Sequence, residues 1–160
     1  MCKRLEFKNL LSRFQVDAPQ EDISKKFKFI REKAEADAVW NRIGEAPAAF
    51  YPIEQIGMAV TFSEEDSYLM LIGEDVTAEY LADRLLGSQA QRLIAPDVKE
   101  ALLFLTIRGD EDWDSYVTLR GRFFDRTVAA YLLNPLTGDY PYEDVAKNYL
   151  GQMLASRADL

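Results

Sequence analysis

The sequence predicts an α/β protein in which helices cover the faces of a mixed sheet. Three observations support this class. Apolar residues recur at helical spacing in several segments, short apolar or alternating runs lie between these segments, and Gly, Pro or Asn-Pro separate the two kinds. The predicted order is strand, helix, strands, helix, strand, helix, strand, helix. A chain of 160 residues is long enough for one domain with a substantial core.

The first half of the chain begins with an amphipathic pattern. A short helix over residues 3–14 is predicted by the spacing of Leu5, Leu10, Leu11 and Phe14, and a polar linker follows. Residues 26–31 alternate polar and apolar side chains, which favours a solvated edge strand over a nucleic-acid face for the basic residues there. Helical spacing then continues up to Gly44.

Strand signals occupy the middle of the chain. The apolar run 48–54 is short and is interrupted by Pro52. Residues 56–62 and 67–72 flank an acidic turn of four residues, which predicts a β-hairpin.

The second half returns to alternating helices and strands. A helical stripe ends at Gly87, and residues 92–95 are short enough for a buried strand. Asp97 and Glu100 stand at capping-box spacing and predict the start of the next helix. A further helix is predicted from Asp125 to Asn134, and a last one begins near Pro141. The predicted core around one sheet comprises Phe50, Val60, Met70, Ile94, Leu102, Leu105, Phe124 and Leu132.

Composition narrows the function classes. The net charge of −8 disfavours nucleic-acid binding unless basic residues are segregated on one face. There is no histidine, which removes imidazole-based triads and histidine zinc sites. Cys2 is the single cysteine, so no intrachain disulfide can form, as expected for a reducing cytoplasm. No apolar run approaches membrane-spanning length, so no membrane partner is expected.

Asp125 is the most informative carboxylate because it stands where a strand meets a helix. One interpretation is a metal-binding or acid/base group at the edge of a sheet. The other is a helix N-cap, which stabilises by about 1 kcal/mol without any chemistry. A lone carboxylate cannot support two-metal catalysis, so the first interpretation needs partner acids on neighbouring strands.

The run VTLRGRFFDRTVAAYLLNPLTGDYPYEDVAKNYLG, residues 117–151, resembles the 3′–5′ exonuclease domain of family A bacterial DNA polymerase I. In that family a strand ending in Leu-(Lys/Arg)-Gly-x-x-Phe-Asp precedes a helix of the type Thr-x-(Leu/Val)-Ala-(Ala/Ser)-Tyr-(Leu/Ile)-(Leu/Ile)-(Asn/Asp)-Pro, and residues 119–125 and 128–135 follow this pattern. Residues 1–14 also resemble the helix that closes the preceding 5′-nuclease domain. The resemblance implies an RNase H-like fold, with residues 1–16 ending the 5′-nuclease region and residues 24–160 forming an exonuclease-like domain truncated at its C-terminus.

The same resemblance implies where an active site would lie. Active relatives hold two Mg²⁺ ions with four carboxylates, the first two in an Asp-x-Glu on the first central strand and the third in a motif that opens a helix. These three acid positions carry Tyr51, Ile53 and Ala101. The fourth acid belongs to a motif that would follow Leu160. Asp125 matches the family's helix-opening Asp and none of the four ligands.

The resemblance therefore predicts a catalytically silent domain without metal or cofactor, acting as a spacer in a DNA polymerase I. Two alternatives remain open. One is an active metal-dependent proofreading exonuclease that uses the displaced acids Glu54, Glu100 and Asp125. The other is an unrelated α/β protein-interaction module.

The expected partners follow from the leading prediction. They are the neighbouring 5′-nuclease and polymerase domains, with DNA reached only through the parent chain. An apolar patch is expected near Tyr149, Leu150, Met153 and Leu154, and self-association through a second copy would cover it.

Overall fold

The computed structural model describes residues 27–105 and 121–154. The predicted helix 3–14, the boundary at residue 16 and the side chain of Leu105 lie outside the described residues. Residues 27–140 belong to one compact unit and residues 141–154 to another, and each is described by itself.

The larger unit contains six strands and four helices among its described residues. The strands are β1 Phe27–Ile30, β2 Ala48–Ile53, β3 Gly57–Thr61, β4 Ser67–Leu71, β5 Leu93–Ala95 and β6 Phe123–Asp125. The helices are α1 Lys33–Ile43, α2 Ala78–Leu86, α3 Val98–Leu105 and α4 Arg126–Leu133. In the smaller unit, α5 spans Tyr142–Val145 and continues as a π-helical turn over Ala146–Leu150. In the described part of the chain, no helix is long and apolar enough to cross a bilayer.

The six strands form one mixed sheet in the order β1-β4-β3-β2-β5-β6. Strands β2, β3 and β4 are antiparallel neighbours, which confirms the predicted hairpin between β3 and β4. The pairs β1–β4, β2–β5 and β5–β6 are parallel. The predicted α/β class with a mixed sheet and flanking helices is therefore confirmed.

Pro52 fits inside β2 because of where β5 ends. Only Ala48 and Ala49 of β2 pair with β5, so one side of β2 has no neighbouring strand at Pro52. A residue without a backbone N–H is tolerated at such a position. The proline therefore lies in the strand, where the sequence pattern suggested an interruption.

Helices α1, α2 and α3 pack on the same face of the sheet. Each connects a strand to a parallel strand that lies further in the same direction across the sheet, and right-handed crossovers then place all three on one side. Their inward residues form a single core with one face of the strands, including Trp40, Leu81, Leu85, Ala101, Phe50, Met58, Val60, Met70 and Leu93. We call this the helix-covered face.

Most of the predicted core residues are buried or half-buried, whereas Phe124 and Leu132 are exposed. Phe50, Val60 and Met70 are buried, as predicted, and Ile94 and Leu102 are half-buried. Phe124 is 38% exposed, because it pairs with Ile94 on the opposite face while its neighbour Phe123 packs near Phe50.

Leu132 is 74% exposed, so the prediction that it belongs to the core is wrong. The reason lies in the orientation of α4. This helix buries the small residue Ala130 and turns its large apolar residues outward.

A polar cluster joins α1 to α2 at the edge of the core. The Tyr80 hydroxyl donates a hydrogen bond of 2.6 Å to the Asp37 carboxylate, and Arg84 pairs with the same oxygen. The hydrogen bond from Tyr80, with the Arg84 charge nearby, lowers the pKa of Asp37. Partial burial and the bond to Asp37 raise the pKa of Tyr80 to about 12.

The free energy of unfolding is expected to fall as the pH rises from about 10 to about 12. Because the folded state holds the Tyr80 proton more tightly than the unfolded chain, this contribution is complete below pH 10 and disappears as Tyr80 ionises. Denaturant unfolding at a series of alkaline pH values measures the effect. In Tyr80→Phe, the free energy of unfolding should fall less steeply with pH over this range. An unchanged dependence on pH would show that Tyr80 is not the group responsible.

Candidate functional site

Tyr51 and Ile53 lie on the sheet face opposite to the three crossover helices. Side chains alternate along β2, so Phe50 enters the helix-covered core while Tyr51 is 36% exposed. Ile53 shares the side of Tyr51 and is half-buried. We call this side of the sheet the open face.

The strand register continues the open face across the sheet. Tyr51 pairs with Ala59, Ala59 with Leu69, and Leu69 with Phe29, so these four side chains form one apolar row over four strands. Phe29 at the edge of this row is 61% exposed. The open face is therefore an apolar surface that the described helices α1 to α3 do not cover.

Ala101 lies on α3, and α3 contacts β2, β5 and β6. The Asp97 carboxylate accepts a hydrogen bond of 3.0 Å from the backbone N–H of Glu100, which confirms the predicted start of this helix. Ala101 is only 2% exposed and belongs to the helix-covered core. The structure thus brings the β2 and α3 elements together, while Tyr51 and Ala101 occupy different faces of the sheet.

The three displaced acids have separate environments. Glu54 follows β2 in the turn to β3 and is exposed. Glu100 is exposed in the first turn of α3. Asp125 ends β6 in the row of Phe50 and Ala95, on the helix-covered side. Asp125 therefore does not share the face of Tyr51 and Ile53.

Asp125 caps two helices at once. One carboxylate oxygen accepts a hydrogen bond of 2.8 Å from the backbone N–H of Val128 in α4, and the other accepts one of 2.8 Å from Val98 in α3. The interpretation of Asp125 as an architectural cap is confirmed by these bonds. The second bond, to a residue 27 positions away, could not be recognised from the sequence.

Thr127 reinforces the same junction. Its backbone N–H and its hydroxyl both donate to the carbonyl of Pro96, at 3.2 and 2.6 Å. The start of α4 is thus fixed to the loop between β5 and α3 by Asp125 and Thr127 together.

Metal-ligating residues do not assemble in this region. Within residues 27–105 and 121–154, no group of three or more Asp, Glu, Cys or His side chains is placed to hold a cation. A pocket of about 260 Å³ lies elsewhere, between the C-terminal ends of α1 and α2, and is lined by residues such as Trp40, Asn41 and Ser88. It contains none of the predicted site residues.

Of two exposed apolar surfaces, only one was predicted from the sequence. The predicted patch in the smaller unit is partly confirmed, since Tyr149, Leu150 and Met153 are 49%, 71% and 53% exposed. The open face was not predicted, although the alternation of Phe27 and Phe29 in β1 was a signal for it.

No protein-family profile matches this chain, and no curated protein is significantly similar to it.

Proposed function

We propose that this chain is a catalytically silent 3′–5′ exonuclease-like domain with an RNase H-like fold. In this role it is a structural spacer between the 5′-nuclease and polymerase parts of a cytoplasmic bacterial DNA polymerase I, which serves DNA replication and repair. The domain itself takes no cofactor, and DNA is reached through the parent chain.

The placement of the family's acid positions carries the proposal. The resemblance puts two of them on a central strand, and Tyr51 and Ile53 lie on β2, third from one edge of a six-stranded mixed sheet. The third opens a helix that contacts this strand, and Ala101 lies there in α3. The elements that would carry the acids are in contact, while Tyr51 and Ile53 lie on the open face and Ala101 is enclosed on the other side of the sheet. The side chains at all three positions are apolar or phenolic, so no carboxylates converge there.

Further support comes from the segment with the strongest resemblance. Its Phe-Phe-Asp run forms β6, and the following Arg-Thr-Val-Ala-Ala-Tyr-Leu-Leu run forms α4. The strand-to-helix change thus falls at Asp125, where the motif requires it. The carboxylate is occupied by two backbone N–H groups, which suits a helix-opening role and leaves it poorly placed to bind a cation.

Purified protein is expected to leave end-labelled single-stranded DNA intact in the presence of Mg²⁺ or Mn²⁺. Two divalent ions carry a total charge of about +4 into the site. Without convergent carboxylates, nothing offsets the free energy that the ions lose when they give up their hydration water. Ala101→Asp should not restore activity, because a lone acid at this buried position would favour its protonated form. An active 3′–5′ exonuclease serves as the positive control.

The matched variant for this assay is Glu54→Gln. Glu54 is exposed in a turn, so its replacement removes the acid without disturbing the core. Metal-dependent shortening of DNA that disappears in Glu54→Gln would establish the active exonuclease and overturn the proposal. Shortening that is equal in the parent protein and the variant would indicate a contaminating nuclease.

The open face favours a second candidate function, an α/β protein-interaction module. Its apolar row, with Phe29 and Tyr51 at the two ends, offers a surface for another domain. The reading frame beyond Leu160 distinguishes the two candidates. Polymerase motifs downstream would support the spacer, and their absence from the full gene would favour the independent module.

A further inference from the structure

Helix α4 has its large apolar residues on the outside. Val128, Tyr131, Leu132 and Leu133 are 53%, 52%, 74% and 69% exposed, whereas Ala130 is buried. Leu136, just beyond the helix, is 93% exposed. We call these five exposed residues the α4 patch. A surface helix normally turns such residues toward the core, so this arrangement is the reverse of the usual one.

The α4 patch is held in a fixed shape by its own unit. The Tyr140 hydroxyl donates to the Asn134 carbonyl at 2.5 Å, and Arg126 donates to the Tyr140 carbonyl at 2.9 Å. The rings of Tyr131 and Tyr140 meet edge to face with centroids 6.2 Å apart. These contacts fold the segment after α4 back on the helix, and Leu136 lies within this segment.

The patch is also free of charge. Residues 127–138 contain no Asp, Glu, Lys or Arg, although 29% of the chain is charged. A partner that binds through charge complementarity, such as a nucleic acid or a strongly basic protein, has nothing to pair with here. The surface is instead suited to a binding partner that presents an apolar, uncharged surface.

The area of the patch approaches that of a standard interface. With about 200 Å² for a fully exposed residue of this size, the five exposed fractions amount to at most roughly 700 Å² per copy, somewhat below the ~800 Å² per partner of a standard interface. A twofold arrangement places the same patch on both copies, so apolar side chains meet apolar side chains without any like-charge contact.

We propose that the α4 patch is a homodimer interface, in which the α4 helices of two copies pack against each other. The interface is built from Leu132, Leu133 and Leu136 at its centre, with Val128 and Tyr131 around them. It lies outside the positions of the silent site, so it neither requires nor excludes the proposed spacer function.

Salt gives the interface a distinctive property. Each copy carries a net charge of −8, so two copies repel each other at long range although the contact itself is uncharged. Raising the salt concentration screens this repulsion, and the dimer should tighten between about 0.05 and about 0.5 M NaCl. An interface based on ion pairs would weaken over the same range.

Sedimentation velocity of the whole 160-residue protein at about 5–100 µM tests the proposal. We expect a monomer–dimer equilibrium for the parent protein and a dissociation constant raised about a hundredfold or more in Leu132→Lys. Lysine is chosen because it makes the net charge less negative, so the loss of dimer cannot be attributed to greater overall repulsion.

Phe29→Lys is the matched control. It introduces the same charge at a large apolar residue that is 61% exposed on the open face, and it should leave the dimer intact. Circular dichroism confirms folding of both variants, and Leu136→Lys replaces Leu132→Lys if that variant is unfolded. A parent protein that stays monomeric, a dimer insensitive to Leu132→Lys, or a dimer abolished by Phe29→Lys would each overturn the proposal.

Discussion

Gly57→Ala is expected to lower the free energy of unfolding by about 3 kcal/mol or more. Gly57 begins β3 with φ of +155°, and a Cβ atom there would lie 1.9 Å from the backbone oxygen of Met70 in β4. A backbone atom of a paired strand cannot move aside as a flexible side chain can. Strands β3 and β4 would have to separate at this point, and chemical denaturation measures the resulting loss of stability.

Gly73→Ala provides the matched control. No atom lies within 4 Å of a Cβ built on Gly73, and its φ lies outside the positive range that favours glycine. This variant should change the free energy of unfolding by less than about 0.5 kcal/mol. Equal stability of the two alanine variants would show that β3 and β4 approach each other less closely than described.

Asp125→Ala is expected to cost about 2–4 kcal/mol, more than the loss of an ordinary helix cap. A single N-cap contributes about 1 kcal/mol, and here one carboxylate serves both Val128 and Val98. Its removal leaves both N–H groups without their acceptor, and the bond from Val98 is part-buried, which adds a desolvation cost. Thermal and denaturant unfolding of the variant give the measurement.

Asp97→Ala is the comparison that isolates the second bond. Asp97 caps only α3, through the N–H of Glu100, and its replacement should cost about 1 kcal/mol. If Asp125→Ala proved no more damaging than Asp97→Ala, the bridge from β6 to α3 would contribute nothing to stability.

Local signals in the sequence were enough to predict most elements. Helix α1 ends before Gly44, whose φ of +51° is a backbone conformation that favours glycine. Asp97 caps α3, and the acidic turn 63–66 lies between β3 and β4, because caps and turns depend on residues a few positions apart. The residues that set these features are all near each other in the chain.

Features that depend on distant residues could not be predicted in this way. Periodicity shows that α4 has an apolar stripe, and the natural expectation is that this stripe faces the core. The structure places Ala130 inward and Leu132 outward, an orientation that the pattern within the helix does not indicate. The position of β1 beside β4, rather than beside β2, is likewise a long-range result.

The candidate site also combines features that the sequence predicts locally with features that depend on distant residues. The period of a strand places Tyr51 and Ile53 on one side of β2, and Glu54 lies beyond the strand in the turn to β3. The burial of Ala101 in the opposite layer follows from the direction of the crossovers across the sheet, which no residue of α3 encodes.

Because the crossover helices cover only one face of the sheet, the two faces should tolerate amino-acid substitutions to different degrees during evolution. A change at Phe50 or Met70 must be matched by α1, α2 or α3, because those side chains are enclosed. A change at Tyr51 or Ile53 requires no such adjustment in the helices. Under the proposed function, acids at these two positions could be replaced without unfolding the domain, because neither side chain is enclosed between the sheet and the crossover helices.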